Sequence, residues 1–101
     1  MAEFVEAVRV DQIPPGTGIT IKVADKGIAV FNVDGNFYAL GDSCPHAGAS
    51  LGSGKLNGRI VTCRAHGLRY DVTTGQVTTG GFGVACYPAK AVDGKILIAI
   101  D

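Results

Sequence analysis

Cys44-Pro45-His46-Ala47-Gly48-Ala49-Ser50-Leu51 and Cys63-Arg64-Ala65-His66-Gly67 hold both histidines and two of the three cysteines of this 101-residue chain. Sixteen residues lie between His46 and Cys63. Two thiolates with two imidazoles suit zinc or an iron–sulfur cluster and do not suit magnesium or calcium. A zinc site with two Cys and two His usually draws each short pair from one residue type. Here each stretch carries one of each, as Cys-x-His and then Cys-x-x-His. A binuclear centre with two His on one iron and two Cys on the other wants that arrangement, each loop giving one ligand to each iron. Three other readings stand beside it: ordinary core or surface residues, a structural zinc, and a Cys–His nucleophile. The last lacks both an acyl-transfer signature and a third orienting group.

The pattern resembles the Rieske proteins, with Cys44 to Leu51 similar to the family's first loop and Cys63 to Gly67, followed by Tyr70-Asp71, similar to its second. The resemblance implies a [2Fe–2S] cluster held by Cys44, His46, Cys63 and His66. It also implies an all-β fold, an antiparallel Rieske-type sandwich or barrel with a small cluster-binding subdomain. Residues 1–101 then form one domain, with that subdomain at about residues 42–71. Pro45, Gly48, Gly54 and Gly67 are expected to shape the loop backbones.

The disulfide that clamps the loops of respiratory Rieske proteins falls at Ala49 and Ala65 and is absent. Their serine donor to a cluster sulfide falls at Leu68, while their tyrosine donor to a ligand sulfur survives as Tyr70. This mixture is similar to the soluble Rieske-type ferredoxins of bacterial oxygenase systems. It implies electron exchange at the histidine edge, through a small uncharged docking surface of Ala47, Gly48, Leu68, Gly81 and Phe82 with Arg64 at its rim. Phe82 belongs to a third loop, Thr79-Gly80-Gly81-Phe82-Gly83, which lacks the prolines common in the family and is expected to be flexible.

Nine basic and nine acidic residues balance without a Lys/Arg run, which argues against a nucleic-acid partner. No apolar stretch has the length to span a bilayer, and the N-terminus lacks the basic and apolar regions of a signal peptide. With two cysteines claimed by the metal, no disulfide framework follows, and a reducing, cytoplasmic setting is expected. Cys86 lies outside both motifs and is expected to pack as a small hydrophobe.

Strands are expected over Phe4 to Arg9, Ile19 to Val23, Ile28 to Val33, Asn36 to Leu40, Arg59 to Thr62, Leu68 to Val72 and Gln76 to Thr78. Turns are expected at Asp11–Gly16, Ala24–Gly27, Asp34-Gly35, Asn57-Gly58 and Thr73–Gly75. Val84 to Val92 and Lys95 to Ile100 are expected to close a last hairpin around Asp93-Gly94. No window has helical periodicity.

The function expected is a one-electron carrier, not itself an enzyme, between a flavin-dependent NAD(P)H reductase and a terminal oxygenase, as a monomer that docks transiently. The alternatives are the small subunit of an assimilatory nitrite reductase and a zinc-stabilised interaction module.

Overall fold

Ile28-Ala29-Val30-Phe31 is an unbroken apolar run, and all four residues are fully buried. Successive strand side chains point to opposite faces, so such a run needs cover on both sides. In the computed structural model, which describes residues 3–23, 26–41, 51–63, 69–78 and 83–100, it has that cover. Ala29 and Phe31 enter one core with Leu40, Leu51, Val61, Cys63 and Tyr70. Ile28 and Val30 enter a second core with Val8, Ile13, Phe37, Ile96 and Ile98.

The described residues form ten strands: β1 (Glu3–Arg9), β2 (Gly18–Val23), β3 (Lys26–Val33), β4 (Asn36–Gly41), β5 (Lys55–Asn57), β6 (Ile60–Thr62), β7 (Arg69–Asp71), β8 (Cys86–Tyr87), β9 (Ala89–Val92) and β10 (Lys95–Ile100). They make three antiparallel sheets, ordered β2-β3-β4-β8, β1-β10-β9 and β5-β6-β7. The first is the middle layer: β1-β10-β9 packs on one face through the second core, and β5-β6-β7 on the other through the first core. A fully buried Ile or Leu side chain contributes about 1.5–3 kcal/mol. Exposed pairs such as Arg9–Asp11 and Lys95–Glu6 contribute about 0–1 kcal/mol each. The two cores therefore hold the fold.

The β3–β4 hairpin turns at Asp34-Gly35 as expected, both in the left-handed region with φ of 52° and 89°. Asn32, the buried polar residue of β3, accepts the Gly35 N–H at 2.8 Å and donates to the Ile13 carbonyl at 2.7 Å. It thereby anchors the prolyl connection after β1, where Ile13 is 1% exposed.

Four expectations need correction. Lys26 and Gly27 are strand residues, because Val23 pairs directly with Lys26. The β5–β6 turn is Gly58-Arg59, because Asn57 pairs with Ile60 and so extends β5, a strand not foreseen. Residues Gln76 to Thr78 make a single bridge, Val77 to Tyr70. Val84 to Val92 is not one strand: it breaks at Pro88, with β8 on β4 and β9 on β10. Proline has no N–H to give to a ladder, and the chain changes sheets there.

Candidate metal centre

Thr62 pairs with Arg69 as the last step of the β6–β7 ladder, so residues 63–68, which carry Cys63 and His66, connect the two strands. Cys63 is 1% exposed and belongs to the first core as a free thiol. Of the four expected ligands it alone lies among the described residues. Cys44, His46 and His66 lie outside them, as do Pro45, Ala47, Gly48, Ala49, Arg64, Ala65, Gly67, Leu68, Gly81 and Phe82.

The described residues nevertheless define where the expected loops begin and end. The first core contains Leu40 and Leu51, which flank 42–50, and Cys63 and Tyr70, which flank 64–68. It also contains Val77, with Val84 packed against it, and these flank 79–82. All three segments thus leave and rejoin one hydrophobic cluster.

Short backbone contacts hold these ends. The Gly41 N–H donates to the Ala85 carbonyl at 2.8 Å, and the Val84 N–H to the Gly75 carbonyl at 2.7 Å. Gly83 lies so close to the Gly75 carbonyl that a Cβ there would collide with it. At the end of the first segment, a Cβ on Gly52 would meet Thr20 and the Ile19 backbone, at 2.7 Å for the latter. The single turn of 3-10 helix at Leu51–Ser53 is therefore seated directly on β2.

Tyr70 is fully buried opposite Val61. Its neighbour Asp71 organises the turn that follows. Asp71 Oδ1 accepts the Thr73 N–H at 2.9 Å and the Thr73 hydroxyl at 2.6 Å, and Arg59 Nε lies 3.3 Å from Oδ2. Burial pushes the Asp71 carboxyl up, but the two Thr73 hydrogen bonds and the Arg59 charge outweigh it and hold it below its usual value. This anchor was not foreseen, although Asp-x-Thr at the start of a turn is a readable Asx-type signal.

Cys86 does not pack in a core. It is exposed on the short strand β8, with Sγ 3.8 Å from the Thr73 carbonyl. Desolvation pushes its thiol up. Cys86 pairs with Leu40 of β4 at the edge of the sheet. An open depression of about 680 Å³, lined in part by Val10, Ile13, Pro14, Phe37 and Ala91, lies beside the second core and contains none of the expected ligands. Among the described residues no helix is long and apolar enough to cross a membrane.

The Rieske [2Fe-2S] domain model matches residues 3–88. The ferredoxin component of the naphthalene 1,2-dioxygenase/salicylate 5-hydroxylase systems of Ralstonia sp. is 32% identical over 97% of this chain and 96% of its own. The ferredoxin of carbazole 1,9a-dioxygenase from Nocardioides aromaticivorans IC177 superposes with a TM-score of 0.90 at 27% identity, covering 97% of this chain and 98% of its own. A chain from a complex of reduced oxygenase and oxidized ferredoxin in carbazole 1,9a-dioxygenase superposes at 0.85, again at 27% identity, over 95% of this chain and 92% of that one. This chain belongs to the Rieske [2Fe–2S] domain family. Within it, the chain is a Rieske-type ferredoxin, an electron-transfer protein whose cofactor is a [2Fe–2S] cluster.

The donor chemistry fits that cofactor. Two thiols and two imidazoles are the Rieske set, and the described thiol, Cys63, is dry and free of any disulfide.

Proposed function

We propose that Cys44 and Cys63 ligate one iron and His46 and His66 the other, within a cluster-binding subdomain of residues 42–71. The protein then carries single electrons from a flavin-dependent NAD(P)H reductase to a terminal oxygenase, in the cytoplasm. When bound, the cluster supplies a reversible one-electron couple, raised above that of an all-cysteine centre because two neutral imidazoles replace two anionic thiolates. Cys63 would anchor one ligand stretch to the buried core, and Tyr70, in the same core, would donate to a ligand sulfur. The same reading assigns Gly48, Ala49, Ala65 and Leu68 to the surroundings of the cluster, and Ala47, Arg64 and Phe82 to the docking edge. A small interface of this kind suits a carrier that must let go.

The single observation that carries the reading is the convergence of the ends of all three segments on the core that holds Cys63. The test is metal and sulfide analysis with electron paramagnetic resonance of the dithionite-reduced protein. Two irons, two acid-labile sulfides and a Rieske-type spectrum per chain are expected. One zinc per chain and no colour would overturn the reading. Stable co-purification with a large subunit, in place of transient binding, would favour the nitrite-reductase arrangement.

A further inference from the structure

The β5-β6-β7 sheet buries one face and leaves the other open. Leu56, Val61 and Tyr70 align across the three strands and pack into the first core. The alternation of strand side chains then puts Lys55, Thr62 and Arg69, the next aligned row, on the outer face. Lys55 and Arg69 are exposed, and among the described residues neither has a carboxylate within ion-pair distance. Four other cations are engaged: Arg9 with Asp11, Arg59 with Asp71, Lys95 with Glu6, and Lys90 over the Phe4 ring at 4.2 Å. Lys22, exposed on β2, likewise has no carboxylate within ion-pair distance among the described residues, but it stands alone in another sheet.

This row is also the one beside the expected ligands, since Thr62 immediately precedes Cys63 and pairs with Arg69. A shallow depression of about 320 Å³, lined by Asn57, Ile60, Thr62 and Arg69, lies on the same face. The charge distribution agrees. Between residues 42 and 78 four basic residues outnumber two acidic ones, whereas in the rest of the chain seven acidic residues outnumber five basic. A net charge of zero therefore conceals an excess of basic residues in the segment that contains this sheet.

We propose that the outer face of β5-β6-β7, centred on Lys55 and Arg69, is a cationic docking surface for a redox partner whose own docking face is lined with carboxylates. The inference rests on the carrier reading above. Cations without an ion-pair partner among the described residues, next to the strand end that leads into an expected ligand, steer an acidic protein toward that end and repel a basic one, and added salt screens both effects.

The test uses the cluster-loaded protein, reduced with dithionite, and two haem proteins as probes: acidic cytochrome b5 and basic cytochrome c. In each reaction one electron leaves the reduced protein and converts ferric haem to ferrous. Stopped-flow rates with cytochrome b5 should fall with ionic strength, and those with cytochrome c should rise. The double variant Lys55→Glu/Arg69→Glu should slow the low-salt rate to cytochrome b5 by about tenfold and reverse both salt slopes. Lys55→Gln/Arg69→Gln, the milder change, should flatten them. Lys90→Glu, on the opposite sheet, should leave them alone. Equal salt dependence with the two probes, or slopes that survive the charge reversal, would overturn the docking surface while leaving the carrier intact. A protein without a cluster, passing no electrons to either probe, would overturn both.

Discussion

The Val84 N–H donates to the Gly75 carbonyl at 2.7 Å, across a gap in which a side chain on Gly75 would have no room. Gly75 has φ of 82°, and its added Cβ would run into the Val84 carbonyl. The contact ties the turn after β7 to Val84, where the chain leaves the third expected loop. Gly75→Ala should therefore cost left-handed strain, about 1–2 kcal/mol, and a steric clash besides. Gly94→Ala has nearly the same φ, 78°, but open space around it, and should cost the strain alone. Denaturant unfolding of the two variants checks this; equal losses would show that the Gly75–Val84 approach is not tight.

Asp71 makes stability depend on acid. Its carboxyl is held below the ordinary value of 3.8, so its folded-state interactions stabilise the protein fully above that value. As pH falls, the unfolded chain takes up the proton first, and the contribution fades from near 3.8 downward until the folded carboxyl is also protonated. Asp71→Asn should lose stability at about pH 7, and its difference from the wild type should shrink as pH falls below 3.8. A difference that stays constant across that range would mean that the Thr73 and Arg59 contacts do not favour the ionised form.

Local chemistry was readable and long-range packing was not. Asp34-Gly35 announces its hairpin because left-handed φ at both positions is a local demand. The Rieske family was legible because metal chemistry restricts residue type and spacing together. By contrast, β5 is three residues long and is defined by its pairing to β6. The sheet change at Pro88 is set by two partners, β4 and β10, far away in the chain. Cys86 is equally illegible: nothing beside it in sequence says that β8 is an edge strand whose thiol faces out. The seat of Gly52 on β2 and the approach of Gly83 to Gly75 depend on backbones that meet only in the folded chain.

Cys86→Ser should leave the spectrum and iron content of the loaded protein unchanged, because the thiol is exposed and its one described contact is a long one to Thr73. Cys63→Ala should abolish normal cluster assembly and weaken the fold, since metal-binding energy is partly folding energy. Loss of cluster in Cys86→Ser, read by visible absorption, would mean that the third cysteine is a ligand.

The reduction potential tests the surroundings of the cluster. Rieske centres span roughly −150 to +300 mV, and hydrogen bonds to the sulfurs are one lever on that value, because they favour the electron-rich reduced state. A hydrogen bond to a charged group is worth about 1.5–3 kcal/mol, and about 1.4 kcal/mol corresponds to about 59 mV for one electron. A single missing hydroxyl can therefore lower the potential by up to roughly 100 mV. Leu68 cannot donate, and Ala49 and Ala65 cannot form a clamp, so the wild-type potential should lie in the low part of the range. Leu68→Ser should raise it. Tyr70→Phe should lower it while sparing the fold, because the ring fills the same fully buried place opposite Val61. Voltammetry of the three proteins decides the matter: a wild-type value near the top of the range, or no response to either substitution, would show that these two positions do not set the potential.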